Sequence, residues 1–97
     1  MIKIQQTDTF VSWFKGLKDV NAKARIVQRL IRLEEGNFGD VKHFHGIGET
    51  RIDHGPGYRV YFVQRGAVLV ILLCGGDKRC QSRNIERARH MAQEVKL

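Results

Sequence analysis

The chain of 97 residues predicts an α+β fold with the element order β-α-α-β-β-β-α, and three features of the sequence indicate it. Residues 58–63 predict an alternating strand, which a tight turn at Arg65-Gly66 joins to a wholly apolar strand at 68–74. Residues 19–35 and 79–95 carry apolar side chains at helical spacing. The turn signal at 54–57, His-Gly-Pro-Gly, separates this hairpin from another alternating strand at 49–53.

The N-terminal part predicts a strand followed by a short helix. Residues 1–5 alternate and favour a strand. Thr7 or Asp8 can cap the helix, because their side-chain oxygens accept hydrogen bonds from the free N–H groups of the first turn. The apolar face of this helix consists of Phe10, Trp13, Phe14 and Leu17.

A longer helix follows from about Asp19 or Asn21 to Glu35. Gly36-Asn37 ends it in the manner of a left-handed cap. Its predicted apolar stripe consists of Val20, Ala24, Val27, Leu30 and Ile31, with Ile26 and Leu33 at its margin. Its predicted outer face carries Arg25, Arg29 and Arg32.

These elements predict one domain over residues 1–97. Two closely spaced helices are expected to form a hairpin that packs on one face of a small, twisted, mostly antiparallel sheet. We expect residues 37–48 to form a loop and the opposite sheet face to stay partly open and concave. A C-terminal helix completes the fold.

The charge of the chain predicts an acidic partner. Lys and Arg number 17 against 10 Asp and Glu, which gives a net charge of +7. Such an excess in a small domain is typical of proteins that bind nucleic acid, an anionic membrane or an acidic protein. The alternative is a charged face that contacts only solvent.

The N-terminal residues, the apolar segments and the cysteines predict the cellular compartment. The first residues do not follow the pattern of a targeting segment, and no apolar run approaches the ~20 residues of a membrane span. We therefore expect a cytoplasmic protein with reduced thiols at Cys74 and Cys80. The pair His43 and His45 lacks a convincing third ligand, so we expect neither a metal nor a cofactor.

Two arginines on neighbouring predicted strands form the candidate site. Arg51 and Arg59 share one sheet face if their strands pair. Planar guanidinium groups suit a phosphate, because they offer permanently charged, bidentate donors. The alternative for each arginine is an ion pair with Glu49 or Asp53.

Three motifs resemble the RelE/ParE superfamily of toxins, and most closely its HigB-like addiction module killer branch. They are GNFGDVK at 36–42, RIDHGPGYRVYF at 51–62 and LLCGGDK at 72–78, and the resemblance covers nearly the whole chain. It implies a RelE-like fold and cleavage of mRNA in the ribosomal A site. It also implies inhibition by a cognate antitoxin, usually a small helix-turn-helix DNA-binding protein. A minority of the superfamily, the ParE-like members, inhibit DNA gyrase without cleaving anything.

The resemblance assigns roles to single residues. Arg59 corresponds to the arginine that contacts the scissile phosphate, and Arg51 to a basic position beside it. Lys78 and Arg79 correspond to the basic pair after the last strand. The sequence departs from the family pattern at Thr50, where leucine is common, and it lacks a tyrosine in the last segment, which leaves the general base open.

Metal-independent cleavage of RNA by the 2′-OH needs a base, an acid and a stabiliser of the phosphorane charge. We expect Arg59 and Arg51 to stabilise the charge, and His54 and Lys78 to move protons. Tyr61 could stack on a base or donate its O–H. The expected RNA-binding residues are Arg79, Arg83, Arg25, Arg29 and Arg32. Besides a nuclease, a ParE-like gyrase inhibitor and a decayed module that only binds an antitoxin stay open.

Overall fold

The computed structural model describes residues 1–95, which form three α-helices and a five-stranded mixed sheet. Caps begin both N-terminal helices, since Thr7 accepts from the Phe10 N–H at 3.2 Å and Asp19 from the Ala22 N–H at 3.1 Å. The elements in order are β1 (Lys3–Gln6), α1 (Asp8–Gly16), α2 (Val20–Glu34), β2 (Val41–Phe44), β3 (Ile47–Ile52), β4 (Tyr58–Arg65), β5 (Leu69–Asp77), a 3₁₀ turn (Lys78–Cys80) and α3 (Gln81–Glu94).

The sheet has the strand order β1-β5-β4-β3-β2, with β1 parallel to β5 and all other neighbours antiparallel. The predicted α+β class is therefore confirmed. The prediction of a loop over residues 37–48 is wrong in part, because β2 lies there and pairs with β3. His45 and Gly46 both have positive φ, at 54° and 79°, which is the two-residue turn that joins hairpin strands.

Helices cover both faces of the sheet. One core packs Phe10 of α1 and Ile26 of α2 against side chains of β3, β4 and β5. The second packs Ala88 of α3 against the opposite face, including Tyr61 and Leu73. The expectation of a partly open second face is thus corrected, because α3 seals much of it. A solvent-accessible concavity remains at the end of the sheet, where β3 stops and β4 begins.

The buried face of α2 differs from the predicted stripe. Ala22, Ile26 and Leu33 are buried, whereas Val20, Val27 and Ile31 are exposed. The helix rests on β3 with a rotation that brings the 22-26-33 positions to the sheet. The spacing of apolar residues in the sequence does not determine this rotation, because α2 has apolar residues on two adjoining faces. No helix within residues 1–95 is long and apolar enough to span a bilayer.

Candidate active site

Arg51 and Arg59 lie directly opposite each other in the antiparallel pairing of β3 with β4. The prediction that they share one face of adjacent strands is therefore confirmed. Two like charges at directly opposed positions repel each other, so this arrangement lowers stability unless an anion lies near both. The next position inward on the same face pairs Glu49 with Tyr61. The acidic residue therefore lies immediately beside the arginine pair.

Glu49 is fully buried and lies between the two arginines. Its Oε1 is 3.4 Å from the Nε of Arg51, and its Oε2 is 3.6 Å from the Nε of Arg59. The Tyr61 hydroxyl donates to Oε2 at 2.9 Å, and the Gln81 Nε2 donates to the same oxygen at 3.0 Å. The alternative of an ion pair with Glu49 is therefore present for both arginines. In each pair the contact to Glu49 is made through the Nε atom of the arginine.

The outer ends of the arginines reach a concavity of about 310 Å³ at the end of the sheet. Three of the predicted catalytic residues line it, namely Arg51, Arg59 and Lys78. The 3₁₀ turn after β5 brings Lys78 there, where it is exposed at the start of the turn. The lining residues are Asp40, Arg51, Ile52, Asp53, Gly57, Tyr58, Arg59 and Lys78.

Gly57 lies in the turn before β4, next to both Lys78 and Arg59. Its φ is +81°, which favours glycine. A Cβ at this position would lie 3.7 Å from the Cβ of Lys78 and 3.8 Å from the Nη1 of Arg59. The Nη1 of Arg59 also donates to the Gly57 carbonyl at 3.4 Å. The Gly-Tyr-Arg motif therefore combines a turn with a guanidinium directed to the concavity.

His54 does not line this concavity, contrary to its predicted catalytic role. Its Nε2 is 3.1 Å from the Oδ2 of Asp19, the residue that caps α2. The pKa of Asp19 lies below its ordinary value, chiefly because the Ala22 N–H donates to it and also because of His54. His54 therefore joins the β3–β4 turn to the start of α2.

Tyr61 shares the strand face of Arg59, as predicted, but it is fully buried. Burial and the hydrogen bond to Glu49 raise the pKa of its hydroxyl above the ordinary value. It therefore stays protonated and donates to Glu49. The prediction that Tyr61 stacks on a base is corrected, because α3 covers the face to which its ring points.

The three arginines of α2 line a second groove, of about 190 Å³. Arg29 is anchored, because its Nη1 donates to the Thr50 hydroxyl at 2.8 Å. Ile52 and Asp53 line this groove as well as the first concavity, so the two are neighbours. The expectation that Arg25, Arg29 and Arg32 share a face is confirmed, and their RNA-binding role stays a prediction.

Arg79 and Arg83, the other two predicted RNA-binding residues, do not line the concavity. Arg79 has 85% of its side chain exposed and forms an ion pair with Asp77 at 3.2 Å. The hydrogen bond from Arg79 lowers the pKa of Asp77. Arg83 is exposed on α3. Both side chains are therefore accessible to a large partner, although Arg79 is paired with Asp77, and neither lines the concavity.

The sequence analysis gives no role in the site to two carboxylates of this region. Asp40 is exposed and lines the concavity, and its carbonyl accepts from the Arg51 N–H at 3.3 Å. Glu49 was considered only as a partner of arginine, although its position two residues before Arg51 already indicated the same strand face. Within residues 1–95, no three His, Cys, Asp or Glu side chains are grouped as a metal site requires.

Comparison with known proteins gives one informative relative. No protein-family model matches the chain. An uncharacterized protein of Haemophilus influenzae is 54% identical over 97 residues, which cover 99% of this chain and 98% of the relative. Identity at that level over nearly the full length of both chains means that they share ancestry and fold. The chain therefore belongs to the same family as this Haemophilus influenzae protein.

Proposed function

We propose that this chain is the toxin of a type II toxin–antitoxin system and an endoribonuclease that cleaves mRNA on the ribosome without a metal. One observation carries the proposal: Arg51, Arg59 and Lys78, from three separate segments, line one concavity of about 310 Å³. Asp40 and Asp53 also line the concavity, but the guanidinium forks of the two arginines offer the paired donors that suit a phosphate. The order of helices and strands and the three sequence motifs support a RelE-like, HigB-type assignment.

The proposed chemistry is an attack of the ribose 2′-oxygen on the adjacent phosphorus. The P–O5′ bond breaks, leaving a 2′,3′-cyclic phosphate and a 5′-hydroxyl. Arg59 and Arg51 hold the non-bridging oxygens, on which negative charge grows in the transition state. Asp40 is one of two exposed carboxylates that line the concavity, with Asp53, and we propose it as the group that accepts the 2′-OH proton. Lys78, an exposed ammonium on the same concavity, supplies a proton to the departing 5′ oxygen.

Long basic surfaces beside the concavity favour a large RNA partner. The α2 arginine groove adjoins it through Ile52 and Asp53. Exposed cations attract the phosphate backbone of RNA without regard to sequence. The ribosome and its mRNA therefore fit the charge of the chain. The same net charge of +7 favours rapid capture by an acidic cognate antitoxin, proposed as a small helix-turn-helix protein in the cytoplasm.

The test is induction of the chain in bacterial cells without its antitoxin, with mapping of new RNA 5′ ends. We expect growth arrest and cuts within translated coding sequence that carry 5′-hydroxyl ends. Arg59→Ala should restore growth and remove the cuts, and circular dichroism checks that the variant is folded. Growth arrest with unbroken mRNA, or cuts that persist in a variant lacking both Arg59 and Lys78, would contradict the proposal.

A binding protein without catalysis is the second candidate, and the partial burial of the site favours it. Arg59 has only 9% of its side chain exposed and faces the buried Glu49. A purely structural ion pair would have the same feature. A gyrase inhibitor would induce the DNA damage response with intact mRNA, and an antitoxin-binding module would leave growth unchanged. The same induction experiment therefore separates the three classes.

A further inference from the structure

We infer that Glu49 is a positioning residue that orients Arg51 and Arg59 for the phosphate, an inference that rests on the proposed function. A carboxylate in contact with both guanidinium groups could instead be a competitor that blocks them. The geometry of its contacts distinguishes these roles.

The carboxylate of Glu49 is held firmly from the protein side. Its short hydrogen bonds come from the Tyr61 hydroxyl, at 2.9 Å, and from the Gln81 Nε2, at 3.0 Å. Tyr61 is fully buried in the sheet, and Gln81 is the first residue of α3. Both donors thus belong to regular structure, which fixes the position of Glu49 whether or not a ligand is bound.

The contacts of Glu49 to the arginines are longer. Its oxygens lie 3.4 Å from the Nε of Arg51 and 3.6 Å from the Nε of Arg59. The second distance exceeds that of a hydrogen bond, and the Arg59 Nε is a buried nitrogen without a hydrogen-bond partner. Glu49 therefore accepts one long hydrogen bond from Arg51, holds Arg59 by charge, and engages neither fork in a bidentate pair.

The outer donors of both arginines stay available for a ligand. Within the described part of the chain, Arg59 uses only Nη1, in a 3.4 Å bond to Gly57, and neither Nη atom of Arg51 makes a hydrogen bond. A structural Arg–Glu pair typically uses the whole fork. Here the inner nitrogens face the carboxylate and the outer nitrogens reach the concavity. Glu49 thus offsets the repulsion between two opposed arginines and leaves their phosphate-binding ends free.

The test is Glu49→Gln, which keeps the shape of the side chain and removes its charge. With mRNA-programmed ribosomes as substrate, we expect kcat to fall at least tenfold because the arginines lose their common anchor. KM should stay the same or fall, because the concavity gains net positive charge. A variant that merely unfolds would lose kcat in proportion to its folded fraction. An unchanged kcat, or a rise in kcat/KM as expected for a competitor, would overturn the inference.

Gln81→Ala is the second variant, since Gln81 is partly exposed and its loss removes only one donor to Glu49. We expect a three- to tenfold fall in kcat with unchanged thermal stability, and an unchanged kcat would count against the inference. Arginine Nε–H signals in NMR give a readout without RNA. Those of Arg51 and Arg59 should be protected from exchange in the wild type and lose that protection in Glu49→Gln. If the wild-type chain cleaves nothing, the proposed function fails, while this NMR comparison still decides whether Glu49 orders the arginines.

Discussion

Arg51 and Arg59 stand directly opposite each other on β3 and β4, and the buried Glu49 is the anion that lies beside both. The exposed Lys78 joins the two arginines at the concavity, which the carboxylates of Asp40 and Asp53 also line. Neither arginine forms a bidentate pair with Glu49, so we propose that their forks give the site a preference for an anion with several oxygens, such as phosphate. This preference links the stability of the fold to ligand binding.

Sulfate or inorganic phosphate should raise the melting temperature of the wild-type chain. We expect either ion to bind the folded state at the concavity, and binding to the folded state alone stabilises it by RT ln(1 + [L]/Kd). At a concentration of about 100 Kd this amounts to about 2.7 kcal/mol. Thermal unfolding at constant ionic strength, with chloride as the control anion, measures the shift. An equal shift in Arg51→Ala would place the ion elsewhere.

Arg59→Lys should lower the rate of RNA cleavage by about 100-fold or more, as losing one preorganised donor to a developing charge does in other enzymes. Lysine keeps the charge but cannot contact Glu49 and a phosphate at once with a planar fork. Single-turnover cleavage of mRNA on programmed ribosomes measures the rate. A cleavage rate like that of the wild type would mean that a positive charge at position 59 is enough for cleavage and that the planar fork is not required.

Lys78→Ala and Arg79→Ala form a matched pair of neighbouring cations. Lys78 lines the concavity, whereas Arg79 is 85% exposed and pairs with Asp77. We expect Lys78→Ala to reduce the single-turnover cleavage rate by about 10²-fold, in the range of a lost general acid. Arg79→Ala should weaken only salt-dependent binding to the ribosome and leave that rate unchanged. Equal effects on the rate would remove the proton-transfer role from Lys78.

Much of the fold follows from local signals. The helix starts at Thr7 and Asp19 are confirmed by their capping bonds, and the hairpin strands and C-terminal helix lie close to their predicted ranges. Strand β2 was missed because its turn uses His45-Gly46 in place of the commoner Asn-Gly pair. The sequence also does not predict the rotation of α2 about its axis. The helix has two adjoining apolar faces, and only its packing on β3 determines which of them is buried.

The sequence predicts those positions of the candidate site that depend on the register of neighbouring strands. It does not predict the contacts between segments that are distant along the chain. The opposition of Arg51 and Arg59 follows from hairpin-like pairing of alternating strands. The contact of Gln81 with Glu49 and the position of Asp40 on the rim depend on how α3 and the segment before β2 fold back. His54 was misplaced for the same reason, since its partner Asp19 is 35 residues away in sequence.

The buried hydroxyl of Tyr61 should make the stability of the fold fall at alkaline pH. Burial and the bond to Glu49 raise its pKa above the ordinary value of 10.0. A group whose pKa is higher in the folded state than in the unfolded state stabilises the fold fully at pH values below its unfolded-state pKa. This stabilisation is lost as the pH rises through its folded-state pKa. Urea unfolding from pH 8 to 11 should therefore show a falling free energy of unfolding. Tyr61→Phe should flatten part of this slope, whereas Tyr58→Phe, at a half-buried position, should not.

Gly48→Ala should destabilise the fold without touching any charged group of the site. An added Cβ at Gly48 would overlap the ring of Phe62, which is fully buried. Overpacking of this kind costs about 3 kcal/mol, which lowers Tm by more than about 10 °C in a domain of this size. Gly16→Ala is the matched control, because nothing lies within 4 Å of its added Cβ. Equal melting temperatures for the two variants would mean that Gly48 and Phe62 are not in contact across β3 and β4.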